Sequence, residues 1–131
     1  MKALVVDEPW IGKLLRGEKT WEMRKSTCRI RGQIALIRKG SGQVVGVADL
    51  VDSRPPLASL EEYAAAEKFH GIPPSRQTQA YTDGWRTPWV LANVRRLAQS
   101  VPYSHPNGAV IWVNLAPDVE AGISRQTGGG E

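Results

Sequence analysis

Gly17-Glu18-Lys19-Thr20-Trp21-Glu22-Met23-Arg24 decides how the rest of the chain is read. It sets a lysine, a glutamate and an arginine in one passage that turns from helix into strand. Upstream, Asp7-Glu8-Pro9 opens a helix, and Pro9 suits its first position because the amide proton it lacks would be unpaired there. Trp10, Ile11, Leu14 and Leu15 make one apolar face at helical spacing. Lys13 and Arg16 fall near the helix end, where the dipole favours cations, and Gly17 suits the left-handed residue that closes a helix. Beyond it, Thr20, Trp21 and Met23 favour extended backbone, so alternation puts Glu22 and Arg24 on one face. Lys19, at the turn, is outside that alternation.

Working outward, Ala3 to Val6 reads as a short buried strand. Lys25 to Arg31 is a basic loop. Gln33 to Lys39 and Gln43 to Asp52 read as strands joined by the turn Gly40-Ser41-Gly42, a hairpin. Asp49 is the polar exception in the second of these. An unpaired carboxylate in such a strand is costly. Either it pairs with an arginine or caps backbone N–H groups at a rim, or it faces a wet pocket. Ser59-x-x-Glu62 has capping-box spacing and starts a helix over about Leu60–Phe69, with Leu60, Ala64 and Phe69 inward, until Gly71-Ile72-Pro73-Pro74 stops it. Ser75 to Thr87 reads as a polar loop carrying Tyr81 and Trp85, either a cover for a pocket mouth or a surface excursion. Trp89 to Leu97 is a long strand, Val101 to Gly108 a polar loop and Ala109 to Leu115 the last strand. The pattern is α+β, with about six mostly antiparallel strands and short flanking helices. One domain spans residues 1–116, and residues 117–131 form a disordered tail outside the core.

At 131 residues, 41% hydrophobic and 23% charged, the chain is one ordinary globular domain. No apolar run is long enough to span a membrane, and Asp7 comes too early for an export signal. The lone Cys28 cannot form an internal disulfide and fits a reducing compartment, so a cytoplasmic location is expected. Net charge is +4 and the sequence pI is about 9.5. Lys13, Arg16, Lys19, Arg24, Lys25, Arg29, Arg31, Arg38 and Lys39 crowd one segment against only Glu18 and Glu22. Each alone reads as a solvated surface cation. Together they suit phosphate neutralisation on one surface.

The spacing Gly17-x-Lys19-x-x-Glu22-x-Arg24, with Pro9-Trp10 before it and Gly108-x-x-x-Trp112 closing the pattern, resembles the ASCH domain family over roughly Met1 to Leu115. That family is a PUA-like β-barrel family associated with RNA. The resemblance implies a small PUA-like barrel with one cationic pocket near Gly17–Arg24 and RNA or a nucleotide-like small molecule as partner. Candidate ligand-binding residues are Lys19, Glu22, Arg24, Lys25, Trp10, Ser104, His105 and Asn107. Arg24 and Lys25 suit phosphates. Glu22 suits an exocyclic amine or a ribose hydroxyl. Trp10, Trp21, Tyr81, Trp85 or Tyr103 suits a stacked base, whereas Trp89 and Trp112 read as core. The plain alternative for His105-Pro106-Asn107-Gly108 is turn chemistry. Another is that Glu22 and Arg24 form an internal ion pair at the barrel mouth, leaving Lys19 to the ligand.

If the protein is an enzyme, Lys19, Glu22 and Asp49 are the catalytic candidates and hydrolysis is the chemistry. One bacterial branch of the family deacetylates N4-acetylcytidine with a threonine where this chain has Glu22; Thr20 is nearby but offset. Other bacterial members are linked to metal-assisted ribonuclease activity. No cofactor is expected, with a divalent metal left open as an option that no motif supports. Asp7, Glu8, Glu22 and Asp49 are scattered, and His70 and His105 lack ligand spacing. A protein-interaction adaptor is the third reading. Oligomeric state leaves no sequence signal.

Overall fold

Strand β1 (Lys2–Val6) is buried on both faces because it lies inside the sheet, parallel to β3 (Gly32–Arg38) and antiparallel to β6 (Trp112–Asn114). These relations come from a computed structural model that describes residues 1–128. The six strands run β2-β5-β4-β3-β1-β6, with β2 at Trp21–Arg24, β4 at Gln43–Ser53 and β5 at Thr87–Pro102. Every pair except β1–β3 is antiparallel. Among the described residues five short helices accompany them: α1 (Trp10–Leu15), α2 (Leu60–Ala65), α3 (Glu67–His70), α4 (Pro74–Thr82) and α5 (Pro117–Thr127). The result is a curled, mixed half-barrel of α+β class.

The curl brings the two ends of the sheet together. Arg24 on β2 donates from Nη2 to the Val5 carbonyl of β1 at 2.9 Å. Trp89 of β5 stacks on Trp112 of β6, with ring centroids 5.8 Å apart. Strand alternation then sorts the core into two faces. Ala3, Val5, Ala35, Ile37 and Val113 pack on one side, and Leu4, Val6, Ile34 and Leu36 pack on the other with Ile11 and Leu14 of α1. Tyr63, Ala66 and Ile72 press the helical layer α2–α4 onto Trp21 and Met23.

Four expectations need correction. The tail expected to be disordered from 117 onward is helical as α5, and Val119 and Ile123 bury against Leu97 and Val44; residues 129–131 lie outside the described residues. Its i, i+4 apolar pair was masked by polar neighbours. The supposed loop after Ser75 is largely α4, whose apolar periodicity is too weak to read, although Pro74 sits at its first position. The single helix expected at 60–69 is two. Their inward residues are Tyr63, Ala66 and His70, whereas Leu60, Ala64 and Phe69 are exposed. The Ser59 half of the capping box forms, with Ser59 Oγ accepting from the Glu62 amide, while Glu62 Oε2 reaches one residue further back and accepts from the Ala58 amide. The last strand, expected from Ala109, is confined to Trp112–Asn114. Substituting Ile123→Ala should cost about 2–5 kcal/mol in urea denaturation; an unchanged midpoint would show that α5 does not belong to the core.

Candidate functional site

The helix-to-strand passage holds the site. Gly17, at φ +77°, ends the first helical stretch in the left-handed region. Lys19 follows, and β2 then places Glu22 and Arg24 on one face, as alternation predicts. Lys19 Nζ donates to Glu22 Oε1 at 2.9 Å, and Arg24 Nη2 donates to Glu22 Oε2 at 3.0 Å. The internal Glu22–Arg24 pair is present, but Lys19 is not left apart from it, because it shares the same carboxylate. Lys19 is only 2% exposed and Glu22 only 5%. Burial, partly offset by the Glu22 charge, lowers the Lys19 pKa. Burial alone would raise the Glu22 carboxyl, but the charges of Lys19 and Arg24 outweigh it and hold its pKa below the usual carboxylate range.

This triad sits at a cleft of about 690 Å³ between the two ends of the curled sheet. Val5, Trp89 and Met23 contribute apolar wall, with Val110 and Ile111 from the segment before β6. Arg76, Gln79 and Asp83 of α4 and Trp85 just after it line the facing side. Trp10 borders the cleft with cations around it: its ring centroid lies 5.0 Å from Lys19 Nζ and 5.4 Å from both Lys13 Nζ and the Arg76 guanidinium. Lys25 Nζ lies 4.8 Å from the Trp85 ring. Lys39 and Asp7 complete the charged lining.

Of the sequence candidates, Trp10, Lys19, Glu22, Arg24 and Lys25 meet here. Asp49 does not. It is half-exposed on β4, paired in the sheet with Gln33 and Ala92, and accepts a hydrogen bond from Asn93 Nδ2 at 2.8 Å. Register, which alternation alone cannot supply, put it outside the cleft. Ser104, His105 and Asn107 also lie outside it. Ser104 lines a separate hollow of about 310 Å³ with Asp118. His105 is tied to the Tyr103 hydroxyl and the Ala109 carbonyl at 2.7 Å each, which is turn chemistry. The opposite rim is instead apolar Val110 and Ile111. Sequence reading placed Lys39 only in the general cationic cluster, missed Arg76, Gln79 and Asp83, and gave Trp89 to the core alone. The polar run Ser75–Asp83 was the available signal. Among the described residues, no group of three or more His, Cys, Asp or Glu side chains stands close enough to hold a metal ion.

His70 braces the cleft from beneath. Its Nδ1 accepts from the Ile72 amide at 2.9 Å, which leaves Nε2 to donate to the Tyr63 carbonyl at 2.7 Å. That fixes a neutral tautomer. Burial lowers its pKa; the Tyr63 carbonyl opposes the shift and the Lys19 charge adds to it.

The fold and the buried triad define a PUA-like domain with one charged cleft. A model of the ASCH domain matches residues 4–100, and the chain belongs to that family. It is similar to the crystal structure of the ASCH protein from Zymomonas mobilis, with a TM-score of 0.69 and 10% identity over 95% of this chain and 93% of that one. Two single-substitution mutants of the Zymomonas mobilis protein align with TM-scores of 0.64 and 0.65 at 12% identity, each covering 95% of this chain and 96% and 94% of theirs. At such identity the likeness is one of fold. No curated protein matches the sequence. No helix among the described residues is long and apolar enough to cross a membrane.

Two titrations check the site. Replacing Glu22→Gln leaves the buried Lys19 and the partly buried Arg24 without their counter-charge and should cost about 3–5 kcal/mol at neutral pH. Because the folded pKa of Glu22 is depressed, its contribution is complete above the ordinary carboxylate pKa of about 4.3 and is lost as pH falls through the folded value. The gap between wild type and Glu22→Gln should therefore close in acid; a pH-independent gap would contradict the pairing. For His70, stability should be complete above about pH 6.5 and decline below it, because the unfolded chain takes up a proton that the folded one resists. In denaturation from pH 5 to 8, His70→Asn should flatten that slope.

Proposed function

We propose that the protein binds RNA or a nucleotide-like ligand, with one nucleoside unit seated in the cleft. The observation that carries this reading is the Lys19 ammonium. It has three N–H groups, borders the cleft, and has Glu22 Oε1 as its only hydrogen-bond acceptor among the described residues. Two donors are left for a ligand oxygen or ring nitrogen. Glu22 retains lone pairs for an exocyclic amine or a ribose hydroxyl. Trp85, 38% exposed, offers a stacking face. Lys25, Lys39 and Arg76 at the rim suit phosphates. Arg24 commits Nη2 to Glu22 and the Val5 carbonyl, which shapes the site, and keeps its other N–H groups for a ligand. The cleft volume lies within the roughly 300–1,000 Å³ usual for small-ligand sites. The ASCH family is PUA-like and generally of RNA-binding kind, which agrees with this reading.

The hydrolytic alternative would have used Asp49 to activate water beside Lys19. With Asp49 outside the cleft, that assignment loses its second carboxylate, and binding is the better-supported activity. Titration of short single-stranded RNA by fluorescence anisotropy tests it. Affinity should fall with salt at a log–log slope of about −0.7 per phosphate contacted. Lys19→Met should weaken binding by about tenfold or more. Arg76→Gln, a surface change that spares the fold, should make the slope shallower by about 0.7. A salt-independent affinity, or wild-type binding by both variants, would overturn the proposal.

A further inference from the structure

We infer that the Trp21–Phe69 stack, with Arg54 and Lys68 beside it, is a second contact surface for single-stranded RNA outside the cleft. The inference rests on the reading that the cleft takes an RNA nucleotide. Trp21 and Phe69 stack with centroids 4.6 Å apart and planes 19° apart. Lys68 Nζ lies 5.0 Å from the Phe69 centroid, and the Arg54 guanidinium lies 5.3 Å from that of Trp21. Among the described residues neither cation has a carboxylate within ion-pair distance. Phe69 is 37% exposed, although α3 buries His70 right beside it. Phe69 therefore offers apolar surface to solvent, Trp21 beneath it is buried, and Lys68, which covers the Phe69 ring, swings aside to meet phosphate when a base stacks there. That combination of an aromatic platform and unpaired cations suits splayed bases on a phosphate backbone.

The surface and the cleft share a wall. Trp21 and Glu22 are neighbours on β2, and alternation sends them to opposite faces. The Thr20 amide donates to the Phe69 carbonyl at 2.9 Å, and Lys13 Nζ donates to the Gly71 carbonyl at 2.5 Å. Gly71, at φ +67°, packs so close that a Cβ there would lie 3.0 Å from Lys19 Cβ.

The test compares a labelled uridine dinucleotide with a labelled 12-mer of uridines. Phe69→Ala should weaken 12-mer binding by roughly five- to hundredfold through lost stacking, and Phe69→Tyr should restore it. The double variant Arg54→Gln/Lys68→Gln should make the 12-mer salt slope shallower by about 1.4. Dinucleotide affinity should stay at the wild-type value in all three. If Phe69→Ala and the double variant bind the 12-mer as wild type does, or lose both probes equally, the second surface is overturned. Failure of the cleft reading looks different: the dinucleotide does not bind or ignores Lys19→Met, while the Phe69 dependence of 12-mer binding is still read. Absence of 12-mer binding overturns both.

Discussion

Glu22 is the counter-charge on which the site depends. Two cations from either side of it, Lys19 and Arg24, meet its two oxygens in a place almost closed to water. Taking such a network out of water contributes little net stability. Its contribution is geometric: without Glu22 both cations lose their counter-charge, so the shared carboxylate holds the three side chains in one arrangement. Arg24 extends the constraint by bonding to the backbone of β1, which ties one end of the curled sheet to the strand near its other end. The cleft is the gap left along that seam.

The cleft is graded as a consequence. Its closed end holds the buried ammonium and carboxylate. Its walls are tryptophan, valine and isoleucine, and its rim carries Lys25, Lys39 and Arg76. The polar helix α4 makes the facing wall, and Gln77 holds it in place by donating to the Ile72 carbonyl and to Glu67. His70 fixes the same turn through the Ile72 amide. Buried hydrogen bonds of α3 and α4 thus set the position of residues that face solvent on their other side. Trp10, ringed by three cations, helps hold Lys19 in place more than it offers a face to a base.

Legibility in the sequence followed how local the determining physics is. The hairpin of β3 and β4, the capping at Ser59 and Glu62, and the Gly17 helix end depend on neighbours in the chain and could be read from them. Glu22 and Arg24 on one face followed from period-two alternation. Helix α4 and helix α5 were hidden because their polar positions outnumber the few apolar ones that anchor them. Asp49, Ser104, His105 and Asn107 were placed by analogy with a pocket whose far rim the sequence could not locate.

From the order of its residues alone, this chain determines its family, its α+β class and a lysine, a glutamate and an arginine clustered at one helix-to-strand turn. The family follows from the resemblance carried by that stretch, and the rest from short-range periodicity. Only the tertiary structure decides which distant groups join them. Sheet order, strand register and curl fix how residues far apart in sequence approach, and these depend on packing the whole core at once. That is why Asp49 faces away while Arg76 and Trp85, from a stretch that reads as loop, stand across from Lys19.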